Sequence, residues 1–305
     1  MPNIWTHIAF CKDMVNAMNH PSRFFTHEQY LNLGAQGPDP FFYYNFWPWI
    51  KDEPVHDIGT ALHTKHCGDF LMDLITKSAS LDPSIQAYVF GFVTHHILDR
   101  NAHPYIHYRA GYEGNDHQRL EVLIDTLMMQ HKYRMQTWKV PVYNEIDVGR
   151  NLNPELVKLL YSIIQAHYPD INPQSSAYIQ KAYQDMKLAL RILADPHGWK
   201  NKLLKSLVSA YSHQPIKTDI DYLNLKQTTW YHPATQEPSN QTFMDLYEAG
   251  LAEAIEIMTL ILEYWRGDDA NHITQQISGL IGDISYDTGK PLKFNLENKY
   301  SDPIV

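Results

Sequence analysis

The 305-residue chain has only two cysteines, Cys11 and Cys67, too few for a disulfide framework. Its longest apolar runs are broken by charge and fall short of the roughly 18–20 residues that a membrane-spanning helix needs. The first residues, MPNIWTHIAFCKDM, lack a basic stretch followed by an apolar one, and acid appears by Asp13, so no secretory signal is read and a cytoplasmic, reduced protein is expected. No internal repeat or low-complexity tract occurs. GxSxG, P-loop and GxGxxG motifs are all missing, which removes an activated serine and the usual nucleotide cradles. Charged residues make up only 19% against 44% hydrophobic, the balance of a folded rather than a disordered chain. The net charge of −9 excludes a general nucleic-acid coat, and no stable nucleic-acid complex is expected.

Helical periodicity dominates what is present. Helices are expected over about 4–18, 60–77, 83–102, 117–137, 154–167, 175–194, 198–212 and 242–266. The clearest is the last. Thr242 and Asp245 make a capping box, Leu246, Leu251, Ile255, Met258 and Leu262 recur at helical spacing, and Gly267 stands where a C-terminal cap belongs. Strand signals are sparse, with one short hairpin expected in the tail around ISYDTGKPLKF. Two long loops, about 35–58 and 213–240, are rich in proline, aspartate and aromatics. The expectation is an all-α, multi-helix single domain over 1–305, with packing helices over about 150–267 and a tail from 268.

Histidine is abundant: 17, against 20 tyrosines. His95, Asp99 and His103 lie four apart, on one face of a helix that Pro104 should end or bend. His117 and Glu121 repeat the spacing on the next helix, and Asp125 continues that face. Side chains at i and i+4 can reach one ion, and neutral imidazole with carboxylate is a zinc donor set. A single HxxxD is as readily a surface ion pair; two such pairs plus His103 within 27 residues are harder to dismiss. His96 points about 100° away from His95 and reads as a core residue or a support behind the ligands. His107, beyond Pro104, reads as exposed or supporting. His7, Asp39, His63 and His66 are further candidates, each by itself more ordinary as a structural residue. Cys67 reads as a small buried hydrophobe.

These residues resemble the zinc-dependent phospholipase C family, a mostly helical group that includes the P1/S1 nucleases. The resemblance rests on His95-x3-Asp99, His103 and His117-x3-Glu121, with thirteen residues between His103 and His117, and on Pro38-Asp39 and an early helical His7. It covers about residues 1–130. It implies two or three zinc ions at the floor of a cleft. Asp99 would bridge two; Asp39, His63 and His95 would complete one; His103, His117 and Glu121 would hold another; His7 would bind the remaining one. It favours His63 over His66. In the family an exposed amino-terminal tryptophan also holds the last ion, whereas Trp5 is internal here, and Asp99 to His103 is two residues shorter than in the secreted phospholipases.

The implied activity is hydrolysis of a phosphodiester, such as a phospholipid headgroup linkage, by metal-activated water, with Asp39 also orienting or deprotonating that water. A nuclease or nucleotidase with the same metal core, or a non-enzymatic protein with structural metal, are the alternatives. Seven of the nine residues from Phe41 to Trp49 are aromatic. As a wall beside the metals, led by Phe41, Phe42 and Tyr43, they would contact substrate; as loop packing they would bury area. A small or zwitterionic phosphodiester sits more easily with −9 than a polyanion does.

Overall fold

A computed structural model describes residues 3–18, 26–47, 49–50, 53–171, 173–203, 208–267 and 270–305. The described residues form eleven α-helices, numbered in chain order: α1 (Ile4–Ala17), α2 (Glu28–Gly34), α3 (Pro54–Thr64), α4 (Cys67–Ser78), α5 (Pro83–Ala110), α6 (Asp116–Tyr133), α7 (Pro154–His167), α8 (Ala177–Leu193), α9 (Trp199–Leu203), α10 (Phe243–Arg266) and α11 (Ala270–Ile281). A 3₁₀ turn spans Asp39–Tyr43. The all-α expectation holds. No helix among the described residues is long and apolar enough to cross a membrane.

The organising element is α5. Asp82 caps it by accepting from the Ser84 amide at 2.8 Å, and Pro83 occupies the first helical position, where a missing N–H costs nothing. Every residue from Ser84 to Asp99 is buried, so this helix runs through the middle of the core rather than along its surface. Glycine permits a close approach of α2: a Cβ on Gly91 would lie 2.6 Å from the Ala35 amide nitrogen at its end. Helix α10 covers another side of α5 and is tied to it by the Arg100–Glu253 pair at 2.8 Å.

Pro104 does not end α5, which continues to Ala110. Proline removes the bond to the Arg100 carbonyl, and that oxygen is faced instead by Gly289, so closely that no Cβ would fit. His103 and His107 therefore stay on one face.

Other boundaries also differ from expectation. The single helix expected over 60–77 is two, separated at Lys65–His66, where His66 takes a left-handed conformation (φ 51°). Of 198–212, the described residues are helical only over α9 and at Val208; 204–207 lie outside the described residues. Helix α2, the 3₁₀ turn and α11 are additional. The capping box and the Gly267 cap of α10 are present, and Leu246, Met258 and Leu262 are buried as expected; the buried stripe also takes in Phe243, Tyr247, Gly250, Ala254, Ile257 and Ile261, while Leu251 and Ile255 are half-buried. The tail hairpin reduces to a single bridge between Ile284 and Pro291. A two-residue antiparallel ladder lies in the 213–240 loop instead, pairing Trp230 with Ser239 and Tyr231 with Pro238.

Candidate metal centre

Four elements converge on Asp99, which is fully buried on α5. Helix α1 brings His7, whose Nε2 is 3.3 Å from Asp99 Oδ1. The placement of α1 has a specific cause. Asp125 on α6 accepts from the backbone amides of Trp5 and Thr6 and from Thr6 Oγ1 at 2.6 Å, satisfying N–H groups that a helix start leaves open. Asp125 continues the His117–Glu121 face of α6, and its carboxylate is taken up by the start of α1. Burial pushes its carboxyl up to about 7.

Within α5 itself, His95 Nε2 is 3.0 Å from Asp99 Oδ2, and His103 Nε2 is 3.6 Å from Oδ1. The turn after α2 supplies Asp39, whose Oδ1 is 3.6 Å from His95 Nε2, and α3 supplies His63, 3.5 Å from the same oxygen and 3.8 Å from Asp99 Oδ2. His7 and His95 stack at 4.1 Å. The far nitrogens are held by backbone carbonyls: His63 Nδ1 by Gly59 at 2.7 Å and His95 Nδ1 by Ala35 at 3.0 Å. Such bonds fix the tautomer, leaving each Nε2 lone pair turned inward.

Four groups of donors have ligand atoms within 4.8 Å of one another: His7, His95 and Asp99; Asp39, His63 and His95; His103, His117 and Glu121; and His103, His107 and Asp287. Two observations test their fit to zinc. First, Asp39 Oδ1, His95 Nε2, both Asp99 oxygens and both nitrogens of His7 and His103 are buried without a well-formed hydrogen bond, a costly state unless an ion completes it. Second, two ligands about 2.0–2.1 Å from a tetrahedral ion stand about 3.3 Å apart. The contacts made by His7, His63 and His103, at 3.3 to 3.8 Å, follow that edge rather than a hydrogen-bond length. The N/O donor set and its spacing fit zinc. His117 and Glu121 differ, being in direct contact at 2.7 Å.

Burial lowers His7 and His103 to about 4, so both imidazoles are neutral donors near pH 7. For His95, burial works in the same direction but the Asp99 and Asp39 carboxylates outweigh it and raise the pKa. Asp99 is held well below the usual carboxylate range: burial opposes this, and the His103, His95 and His7 rings outweigh it.

A cleft of about 570 Å³ opens over this cluster, with Asp39 and Glu121 in its lining together with Phe42, Tyr43, Trp47 and Tyr211. Phe41 does not line it. It is buried against Tyr178, with ring centroids 5.8 Å apart, which corrects the expectation that it would face substrate. Phe46, Trp47 and Trp49 form a stack at 4.7 and 5.2 Å, and Trp49 is 72% exposed. His66 is exposed, near His167 and Tyr168, so of the two histidines it is His63 that meets Asp39. Cys67 is buried against the Leu62 carbonyl. His96 is a core residue bonded to the Ile284 carbonyl at 3.0 Å.

Helical spacing does not place His107, Tyr286 or Asp287, all three of which lie beside the cluster. His107 comes alongside because α5 passes through Pro104, and its ring is 4.6 Å from His117. Tyr286 packs edge-on to His63 and tilted against His96, with ring centroids at 4.9 and 4.5 Å, from a tail with no motif of its own. No curated protein and no solved structure matches the chain. A sequence model of the family described as zinc dependent phospholipase C matches residues 6–167, just over half of the chain and the stretch that carries every donor of the four groups except Asp287. With that match over a donor set suited to zinc, the chain belongs to the zinc-dependent phospholipase C family.

Proposed function

We propose that this protein is a zinc-dependent phosphodiester hydrolase of phospholipase C type, and that His7, Asp39, His63, His95, Asp99, His103, His117 and Glu121 hold two or three zinc ions. The observation that carries this reading is a set of buried nitrogen and oxygen donors without hydrogen bonds at the floor of an open, aromatic-walled cleft. Bound zinc would neutralise phosphate charge and acidify a water.

The rest of the chemistry falls to the chain. Asp99 uses both oxygens, Oδ1 toward His7 and His103 and Oδ2 toward His95 and His63, which suits a bridging carboxylate. Asp39 lines both the donor cluster and the cleft, which supports a role for its carboxylate in orienting the attacking water and accepting its proton. Phe42, Tyr43 and Trp47 would take the organic part of the substrate. Neutral histidines with the carboxylates of Asp39, Asp99 and Glu121 leave a two- or three-zinc cluster net positive, as an anionic diester requires. A phospholipid-type headgroup suits a chain of net charge −9 better than a polyanion does.

Elemental mass spectrometry followed by a substrate panel tests the reading. Two or three zinc per chain are expected, with release of phosphate ester from a lipid or model diester that is abolished by chelator and by Asp99→Asn. Activity surviving both changes would refute it. Turnover of nucleic acid or 3′-nucleotides without lipid would move the assignment to a nuclease. Metal bound with no exchangeable water at any ion would make it structural.

A further inference from the structure

The segment Ile284–Pro291 lies far outside the family-matched residues, yet it is built into the wall of the metal centre. Its backbone is held from three sides. The Tyr286 amide donates to the His63 carbonyl at 3.0 Å, His96 bonds the Ile284 carbonyl, and His232 Nε2 bonds the Thr288 carbonyl at 2.9 Å. Gly289 sits against the Arg100 carbonyl that Pro104 leaves without its helical donor. Within the turn, Ser285 Oγ accepts from the amides of Asp287 and Thr288.

This framework delivers one carboxylate to the outer side of the cluster. Asp287 Oδ1 is 3.4 Å from His103 Nδ1 and 3.8 Å from His107 Nε2. His103 is thereby addressed on both nitrogens, with Nε2 toward Asp99 and Nδ1 toward Asp287. Whereas His63 and His95 are hydrogen-bonded to backbone carbonyls, His103 faces a charged acceptor at Nδ1 across a longer 3.4 Å contact. A carboxylate at Nδ1 keeps the proton there, orients the ring and makes the opposite nitrogen a better donor.

We infer that Asp287 is a positioning residue of the metal centre, fixing His103 with Nε2 presented to a divalent cation, so that the tail after α11 completes a site whose ligands lie within residues 6–167. This rests on the reading of His103 as a zinc ligand.

Zinc affinity is measured by competition with a chromophoric chelator, on the full chain, for wild type, Asp287→Asn, Asp287→Ala and the remote tail variant Glu297→Gln. Asp287→Ala is expected to weaken one zinc equivalent about 10- to 100-fold, with full occupancy restored at saturating zinc. Asp287→Asn, which keeps an acceptor oxygen, should fall between it and wild type, and Glu297→Gln should match wild type. Variants within twofold of a zinc-binding wild type overturn this inference alone. An equivalent lost from Asp287→Ala at every zinc concentration also overturns it, because Asp287 would then be a ligand. A wild type that takes up no zinc overturns this inference together with the functional reading.

Discussion

Gly37→Ala should separate the stability of the fold from the integrity of the metal centre. Gly37 sits in the turn between α2 and Asp39 with φ of +50°, and a Cβ there would lie 2.5 Å from His95 Cγ and 2.9 Å from His95 Nε2. Ordinary contact begins at 3.4 Å and His95 Cδ2 is nearer still, so the ring must retreat by about 1 Å. Its routes are poor: His7 is stacked on it at 4.1 Å, and the Ala35 carbonyl holds Nδ1 at 3.0 Å. Metal–ligand distances tolerate shifts of about 0.2 Å, so the ion shared by Asp39, His63 and His95 should bind at least about 100-fold more weakly.

The backbone cost of Gly37→Ala is modest by comparison. A non-glycine residue in the left-handed region costs about 1–2 kcal/mol. Unfolding entropy of about 2.1 cal/mol/K per residue makes that a fall of roughly 2–3 °C in the melting temperature of a chain this long. Zinc titration and thermal unfolding in chelator would be measured on the same samples. Wild-type zinc affinity in a folded Gly37→Ala variant would refute the reasoning, as would a melting loss large enough to show that the turn, not the site, had failed.

Two further outcomes follow from the same geometry. In chelator, burial holds His7, His103 and His213 at about 4 and His96 at about 3, against 6.5 when unfolded. Between pH 4 and 6.5 the unfolded chain therefore binds more protons, and stability should rise with pH through that window. Asp125, raised from 3.8 to about 7, and His95, raised by the Asp99 and Asp39 carboxylates, oppose this, while the lowered His117 and His232 act with the four and keep the balance on their side; a melting temperature that is flat or falls from pH 4.5 to 6.5 contradicts the placement of these histidines. Trp47→Ala, which removes a cleft wall and the centre of the Phe46–Trp47–Trp49 stack, should raise KM about 5-fold, from about 1 kcal/mol of lost aromatic contact, and leave the zinc count unchanged. An unchanged KM on the preferred diester would place substrate elsewhere.

Much of the architecture was legible because helical periodicity is local. Helices α1, α6, α7, α8 and α10 fall within a few residues of their expected bounds, and the capping box of α10 is present. The errors have physical causes. Pro104 reads as a stop, yet α5 continues where a packed glycine meets the carbonyl that proline frees. The helix read over 60–77 breaks at His66 because that residue turns left-handed, which periodicity does not register.

The candidate site divides in the same way. Its i,i+4 pairs on α5 and α6 were visible because 3.6-residue geometry alone brings them together. Upstream, the family pattern rather than local geometry pointed to His7, Asp39 and His63. That these three meet Asp99 depends on Asp125 seating α1, on the Gly37 turn and on α3 packing, none of which has a local signature. The inward turn of Phe41, the approach of His107 and the delivery of Asp287 from the tail were decided by tertiary structure alone. Spacing along one helix determines which of its own residues share a face, but which face of another segment lies opposite is set by the packing of the whole core.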